Sequence, residues 1–162
     1  MTFLKKIAFA PIAFAAVFAS VQAVAAPINY TIQLEAFVPT NDFYVLPSDT
    51  SWIGNTQTLN FNPVTKELTS LTKQFDVLHT AGAISAKLLT PAIIGSAGNN
   101  IPLTVKFNTK TLTTTEQDVV DAAQAATASV VNLEIIPVKP ATGGYIPGTY
   151  TGNVQLSFDA VI

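Results

Sequence analysis

The sequence has no cysteine and no arginine, and it carries one histidine, one tryptophan and one methionine in 162 residues. Without cysteine there is no thiol nucleophile, no disulfide and none of the usual structural zinc sites. An exported domain of this size often carries disulfides. This one must draw its stability from a well-filled core or from association. Lysine is the only cation, eight residues against ten acids. That leaves no basic footprint for nucleic acid and no acidic tail. Charged residues make up 11% of the chain and hydrophobic ones 49%, which disfavours disorder.

Catalytic constellations are equally scarce. His79 stands alone after an apolar residue, which fits a packed or solvent-facing side chain better than a base. The nearest approach to a nucleophile elbow, Gly95-Ser96-Ala97-Gly98, is one residue short of G-x-S-x-G and reads as a turn. Asp118 and Asp121 are three residues apart on an expected helix, where a solvated face explains them. No Asp-x-Asp-x-Asp loop or phosphate-cradling glycine loop occurs. The expectation is a protein that is not an enzyme and uses no cofactor or metal. Trp52 is expected to anchor a core or loop, with an exposed contact role as the alternative. Asn29-Tyr30-Thr31 matches a glycosylation sequon, which a buried strand could not use.

What is present begins with an export signal. Lys5 and Lys6 precede an apolar run from Ile7 to Phe18, and Ala23-Val24-Ala25 supplies small residues for cleavage. The run is too short for a membrane span, which needs about 20 apolar residues. Residues 1–25 are read as a signal peptide, with the mature chain starting at Ala26. It keeps six lysines against ten acids, a formal charge of about −4.

The mature N-terminus then alternates. Ile28, Tyr30, Ile32, Leu34, Ala36 and Val38 fall on one parity, with mostly polar residues between them and Pro39 closing the run. Successive side chains of a strand point to opposite faces, so this segment carries one continuous apolar stripe. Proline cannot donate to a ladder, so pairing should stop or turn at Pro39. The C-terminal stretch from Tyr150 to Ile162 alternates in the same way. Between them lie strand candidates at 42–46, 56–61, 68–78, 83–89, 101–107 and 130–138, punctuated by Asn62-Pro63, Pro91, residues 95–100 and Gly143-Gly144. Many strands with frequent turns predict a sandwich or barrel. One helical insertion is expected over 118–128, which is Ala-rich and has Thr115 as a possible cap and Glu116 and Asp118 in its first turn.

The signal peptide, Asn29-Tyr30-Thr31-Ile32 leading to Val38-Pro39, Phe61-Asn62-Pro63, Leu78-His79-Thr80, the Ala-rich segment and Gly148-Thr149-Tyr150-Thr151-Gly152-Asn153-Val154 occur in order along the chain. Together they resemble the major pilins of class 5 fimbriae, the alternate chaperone–usher group with the colonisation-factor and cable pilins. The resemblance implies an all-β, immunoglobulin-like sandwich, incomplete in one subunit and completed by a donor strand from the next. It implies a donor segment over 26–39, with Ile28, Tyr30, Ile32, Leu34, Ala36 and Val38 at the subunit interface and Pro39 as hinge, and a pilin domain over 40–162. It also implies other copies of the chain, a periplasmic chaperone, an outer-membrane usher and a minor tip adhesin as partners. A host receptor is an open further partner. The competing expectations are a monomeric exported binding module, such as a carbohydrate-binding one, and a secreted hydrolase.

Overall fold

In a computed structural model the described residues are 42–162; the signal peptide, the stripe over 28–38 and Pro39 lie outside them. About half of the described part is strand, with one short helix and the rest turns and loops. In chain order it runs β1 (Phe43–Pro47), β2 (Phe61–Asn62), β3 (Glu67–Leu68), β4 (Leu71–His79), β5 (Ala83–Leu88), β6 (Ile93–Ser96), β7 (Asn99–Phe107), β8 (Lys110–Thr111), β9 (Gln117–Val120), α1 (Ala122–Ala125), β10 (Ser129–Pro137) and β11 (Leu156–Val161). The larger sheet has the order β1-β4-β10-β7-β6, with β8 on β7; the smaller has the order β11-β5-β9. A two-residue hairpin, β2-β3, stands apart from both. Every pairing among these strands is antiparallel.

The alternation of the sequence sets the two faces. Phe75 and Val77 of β4, Val131 and Leu133 of β10, and Ile101, Val105 and Phe107 of β7 are buried. Their register aligns them, with Phe75 opposite Val131 and Phe107 opposite Leu133. From the smaller sheet Ile84, Ala86, Leu88, Val119 and Val120 meet this surface. Phe107 is wholly buried, lies 4.7 Å from Phe158 of β11 by ring centroids, and meets Phe75 edge-on at 5.6 Å. These rings tie the two sheets together, and such pairs contribute roughly 0.5–1.5 kcal/mol beyond area burial.

The strands expected at 42–46, 83–89, 101–107 and 130–138 all form, and the long run at 68–78 forms as β4. Asn62 makes the expected turn, its side-chain oxygen accepting from Val64 N–H at 2.9 Å. Three expectations are corrected. The helix expected over 118–128 shrinks to Ala122–Ala125. Residues 117–120 are strand instead, because Val119 and Val120 are buried and β9 pairs with β5. The helix begins where Asp121 caps it, its carboxylate accepting from Gln124 N–H at 2.8 Å. The run at 56–61 is loop, strand beginning only at Phe61. The C-terminal strand is shorter than Tyr150–Ile162; only Leu156–Val161 pairs as β11.

Candidate functional site

The two sheets end differently on their two flanks. On one flank lies β6, whose edge is covered by the chain itself. Gly95 and Thr151 exchange both backbone hydrogen bonds, at 2.9 and 3.0 Å. Gly152 sits so close that a Cβ there would lie 2.4 Å from the Ile93 carbonyl oxygen, so only glycine lets the segment press onto that edge. This gives the Gly-Thr-Tyr-Thr-Gly run a physical reason.

On the other flank β1 stands last in the strand order of the larger sheet and β11 last in that of the smaller. The two ends are near each other. The ring of Phe43 in β1 meets His79 edge-on at 5.5 Å. His79 is buried and lies beside Gly82, whose Cβ position would fall 1.9 Å from the Val161 carbonyl oxygen at the end of β11. The histidine is thus a packing residue, with Nδ1–H donating to the Ala83 carbonyl at 2.8 Å. Along the same flank Phe158 of β11 lies 6.3 Å from Phe75, which is opposite Pro47 of β1.

Apolar side chains run along this flank. Phe43 and Val45 from β1, with Val154, Leu156 and Phe158 at and before β11, pack on the core yet are only partly buried. Half-covered apolar residues at a sandwich edge suit the seating of a further strand. Chemically, the site can take one extended segment. Its backbone would bond to an edge, and its alternate side chains would enter the gap. The C-terminal stripe Val154, Leu156 and Phe158 was legible from its parity. The contribution of Phe43 and Val45 was not, because a five-residue strand does not show by itself which face is inward.

The bottom of the sandwich is closed by a loop rather than a strand. Trp52 packs edge-on against Phe75 at 6.1 Å, and Lys73 Nζ stands 5.1 Å above its ring. The expected role of Trp52 as an anchor holds. Lys73 shares the parity of Phe75 along β4, which brings its ammonium over the Trp52 ring. Asp49 shapes the same loop by accepting from the Ser51 N–H at 2.8 Å and its hydroxyl at 2.9 Å, which holds the carboxyl below its usual range.

Among the described residues no three His, Cys, Asp or Glu side chains gather as a metal set, and no helix is long and apolar enough to cross a membrane. Asp118 lies on strand β9 and Asp121 caps α1, so the pair share no helix face. The one polar cluster on the smaller sheet joins Ser85, Lys87 and Glu116. Ser85 donates to Glu116 Oε1 at 2.7 Å and Lys87 Nζ to Oε2 at 3.1 Å, and both hold the Glu116 carboxyl below its usual range.

Comparison with known proteins gives this geometry a family. The description "CS1 type fimbrial major subunit" matches residues 28–159. The chain belongs to that family. The CS1 type fimbrial major subunits are structural pilins, so the sandwich is that of a structural subunit of a cell-surface fimbria. Among solved structures, the CooA pilin subunit from enterotoxigenic Escherichia coli is similar in fold, with a TM-score of 0.61 over 73% of this chain and 86% of that one. Identity between the two is 23%. No curated protein matches the chain. The resemblance seen in the ordered motifs agrees with the family match, and nothing found supports the monomeric binding module. The donor residues Ile28, Tyr30, Ile32, Leu34, Ala36 and Val38 and the hinge Pro39 fall within the matched span but outside the described residues.

Proposed function

We propose that this pilin polymerises by donor-strand complementation: the Ile28–Val38 stripe of one subunit enters the flank between β1 and β11 of the next. The carrying observation is the pair of edge strands with half-buried Phe43, Val45, Val154, Leu156 and Phe158 between them. The mature N-terminus supplies an apolar stripe of alternate residues, the pattern a strand needs to send side chains into such a flank. Each large side chain fully buried contributes roughly 1.5–3 kcal/mol. The contact is head-to-tail and does not close on itself, so it generates a filament. Pro39 serves as the hinge between the arm and the pilin domain over 40–162. Residues 1–25 direct export through the periplasm. A periplasmic chaperone and an outer-membrane usher handle the incomplete subunit, since an uncovered flank would aggregate. A minor tip adhesin completes the organelle, which supports adhesion to host surfaces.

The absence of native cysteine makes the test clean. Leu34→Cys paired with cysteine at Leu156 or Phe158 should give, under oxidation, a ladder of disulfide-linked multimers on denaturing gels. Cross-links confined to single chains would overturn the intersubunit assignment. In parallel, Ile32→Asp and Leu34→Asp should abolish filaments seen by electron microscopy; normal filament yield from either variant would sink the donor assignment. For Pro39→Ala the expected outcome is altered fibre geometry, and unchanged geometry would remove its hinge role.

A further inference from the structure

Ile28, Tyr30, Ile32, Leu34, Ala36 and Val38 repeat at a spacing of two residues. Sliding such a strand by one residue turns its apolar side outward, but sliding it by two does not. A stripe two residues out of place still faces inward, and its backbone still meets the ladder. Burial therefore selects the face of the strand and leaves its depth of insertion weakly determined. An end stop in the receiving subunit would remove that degeneracy.

The flank of β1 and β11 carries a large side chain at one end. β1 finishes with Pro47 opposite Phe75. Past that point Ser48 N–H donates to the Gln74 carbonyl at 3.0 Å, and the chain then turns through the loop that bears Trp52. The indole packs edge-on against Phe75 at 6.1 Å. Lys73, two residues beyond the last β1 pair, places its ammonium 5.1 Å from the ring. The ring therefore lies just past the end of β1. Phe75 also lies 6.3 Å from Phe158 of β11, so the indole and the flank share a neighbour.

The loop is braced around this residue. Asp49 accepts from the Ser51 N–H and hydroxyl. Asn55 Nδ2 donates to the Ser51 carbonyl at 2.7 Å, and Asn55 N–H to the Trp52 carbonyl at 3.1 Å. Gln57 Nε2 reaches that same carbonyl at 3.4 Å. These bonds hold the Trp52 backbone while Phe75 and Lys73 hold its ring, yet the indole is only partly buried against the core. A side chain fixed in this way can obstruct a strand without being pushed aside.

We propose that Trp52 is the end stop that sets the register of the incoming strand. The proposal rests on the donor-strand reading of the flank. An arm slid two residues too deep runs into the indole. An arm two residues too shallow leaves one apolar side chain outside and forfeits its burial. The two penalties together select one depth. Trp52 is thus a positioning residue, while β1 and β11 supply the hold.

The test maps register by disulfide formation, which the lack of native cysteine allows. Ile32→Cys, Leu34→Cys and Ala36→Cys are each combined with Leu156→Cys, and disulfide-linked multimers are followed over time on denaturing gels. With Trp52 in place, one pair should form multimers about tenfold faster than the other two. Trp52→Ala should bring the three rates within about threefold of one another while filaments still form. Should circular dichroism show that the alanine variant does not fold, Trp52→Leu, which keeps an apolar contact for Phe75, carries the same expectation. An undiminished preference in the folded variant overturns the proposal, and so do equal rates from all three pairs with Trp52 present. No multimers from any pair with Trp52 present would bring down the donor-strand reading itself, and the stop with it. Fluorescence adds an independent readout, because Trp52 is the only tryptophan. Its quenching by acrylamide should fall on assembly; equal quenching in free subunits and filaments would also overturn the proposal.

Discussion

The two flanks of this sandwich treat the same physical problem in opposite ways. A sheet edge exposes unpaired N–H and C=O groups and invites another strand. At β6 the chain answers with its own backbone: the Gly95–Thr151 bridge satisfies the edge, and Gly152 lets the covering segment sit within contact of Ile93. At β1 and β11 the flank instead carries Phe43, Val45, Leu156 and Phe158, apolar side chains that pack on the core yet are only partly buried. The chain can seal an edge tightly, as it does at β6. Under the donor-strand proposal, the flank of β1 and β11 is where the neighbouring subunit's strand enters.

Substitutions can break this contrast from either side. The largest loss should come from Phe107→Ala, because its buried ring touches Phe75 and Phe158 and so supports both sheets. About 3–5 kcal/mol is expected, read as a lowered thermal or denaturant midpoint with loss of assembly. Gly152→Ala attacks the sealed flank alone. The Cβ would meet backbone rather than a movable side chain, so roughly 1–3 kcal/mol should be lost, with faster amide exchange at Gly95 and Thr151. Phe158→Ala attacks the open flank. The isolated subunit should lose about 1–2 kcal/mol, since the ring is only half-buried there, and the assembled fibre should lose more. If fibre and free subunit are weakened equally, the flank is not where subunits join.

The smallest effect is electrostatic. Glu116 is depressed first by the Ser85 hydroxyl and then by Lys87. A carboxylate with a depressed folded-state pKa contributes stability above its unfolded value, and that contribution fades as pH falls through the folded value. Ser85→Ala should raise the Glu116 titration midpoint toward its ordinary range in a carbon-detected NMR titration. The acid unfolding edge should hardly move, because the ion pair is exposed.

The strand alternation made much of this architecture readable. Ile101, Leu103, Val105 and Phe107 are spaced two apart and became the inner face of β7. Segment 117–120 was misread because the alanine-rich context, Thr115 as a possible cap and the acids Glu116 and Asp118 favour helix locally, while Val119 and Val120 gain more by burial beside β5. Gly95 and Ser96 were read as turn because their ladder partners, Asn99, Asn100 and the distant Thr151, leave no local mark. Half of the flank was visible as Val154, Leu156 and Phe158, but its closeness to β1 depends on topology. The contact of Phe61 on β2 with Tyr145, far along the chain, left no mark in the local pattern.

The pairing of β1 carries a mechanical consequence. Phe43 through Pro47 run antiparallel to His79 through Phe75, residue for residue. In a fibre joined through the arm that precedes Phe43, tension would pull β1 lengthwise, across hydrogen bonds that lie perpendicular to the strand. Such a ladder is loaded in shear, so its bonds share the force and must yield together instead of peeling one by one. A strand of only five residues can then serve as the grip through which a filament resists flow.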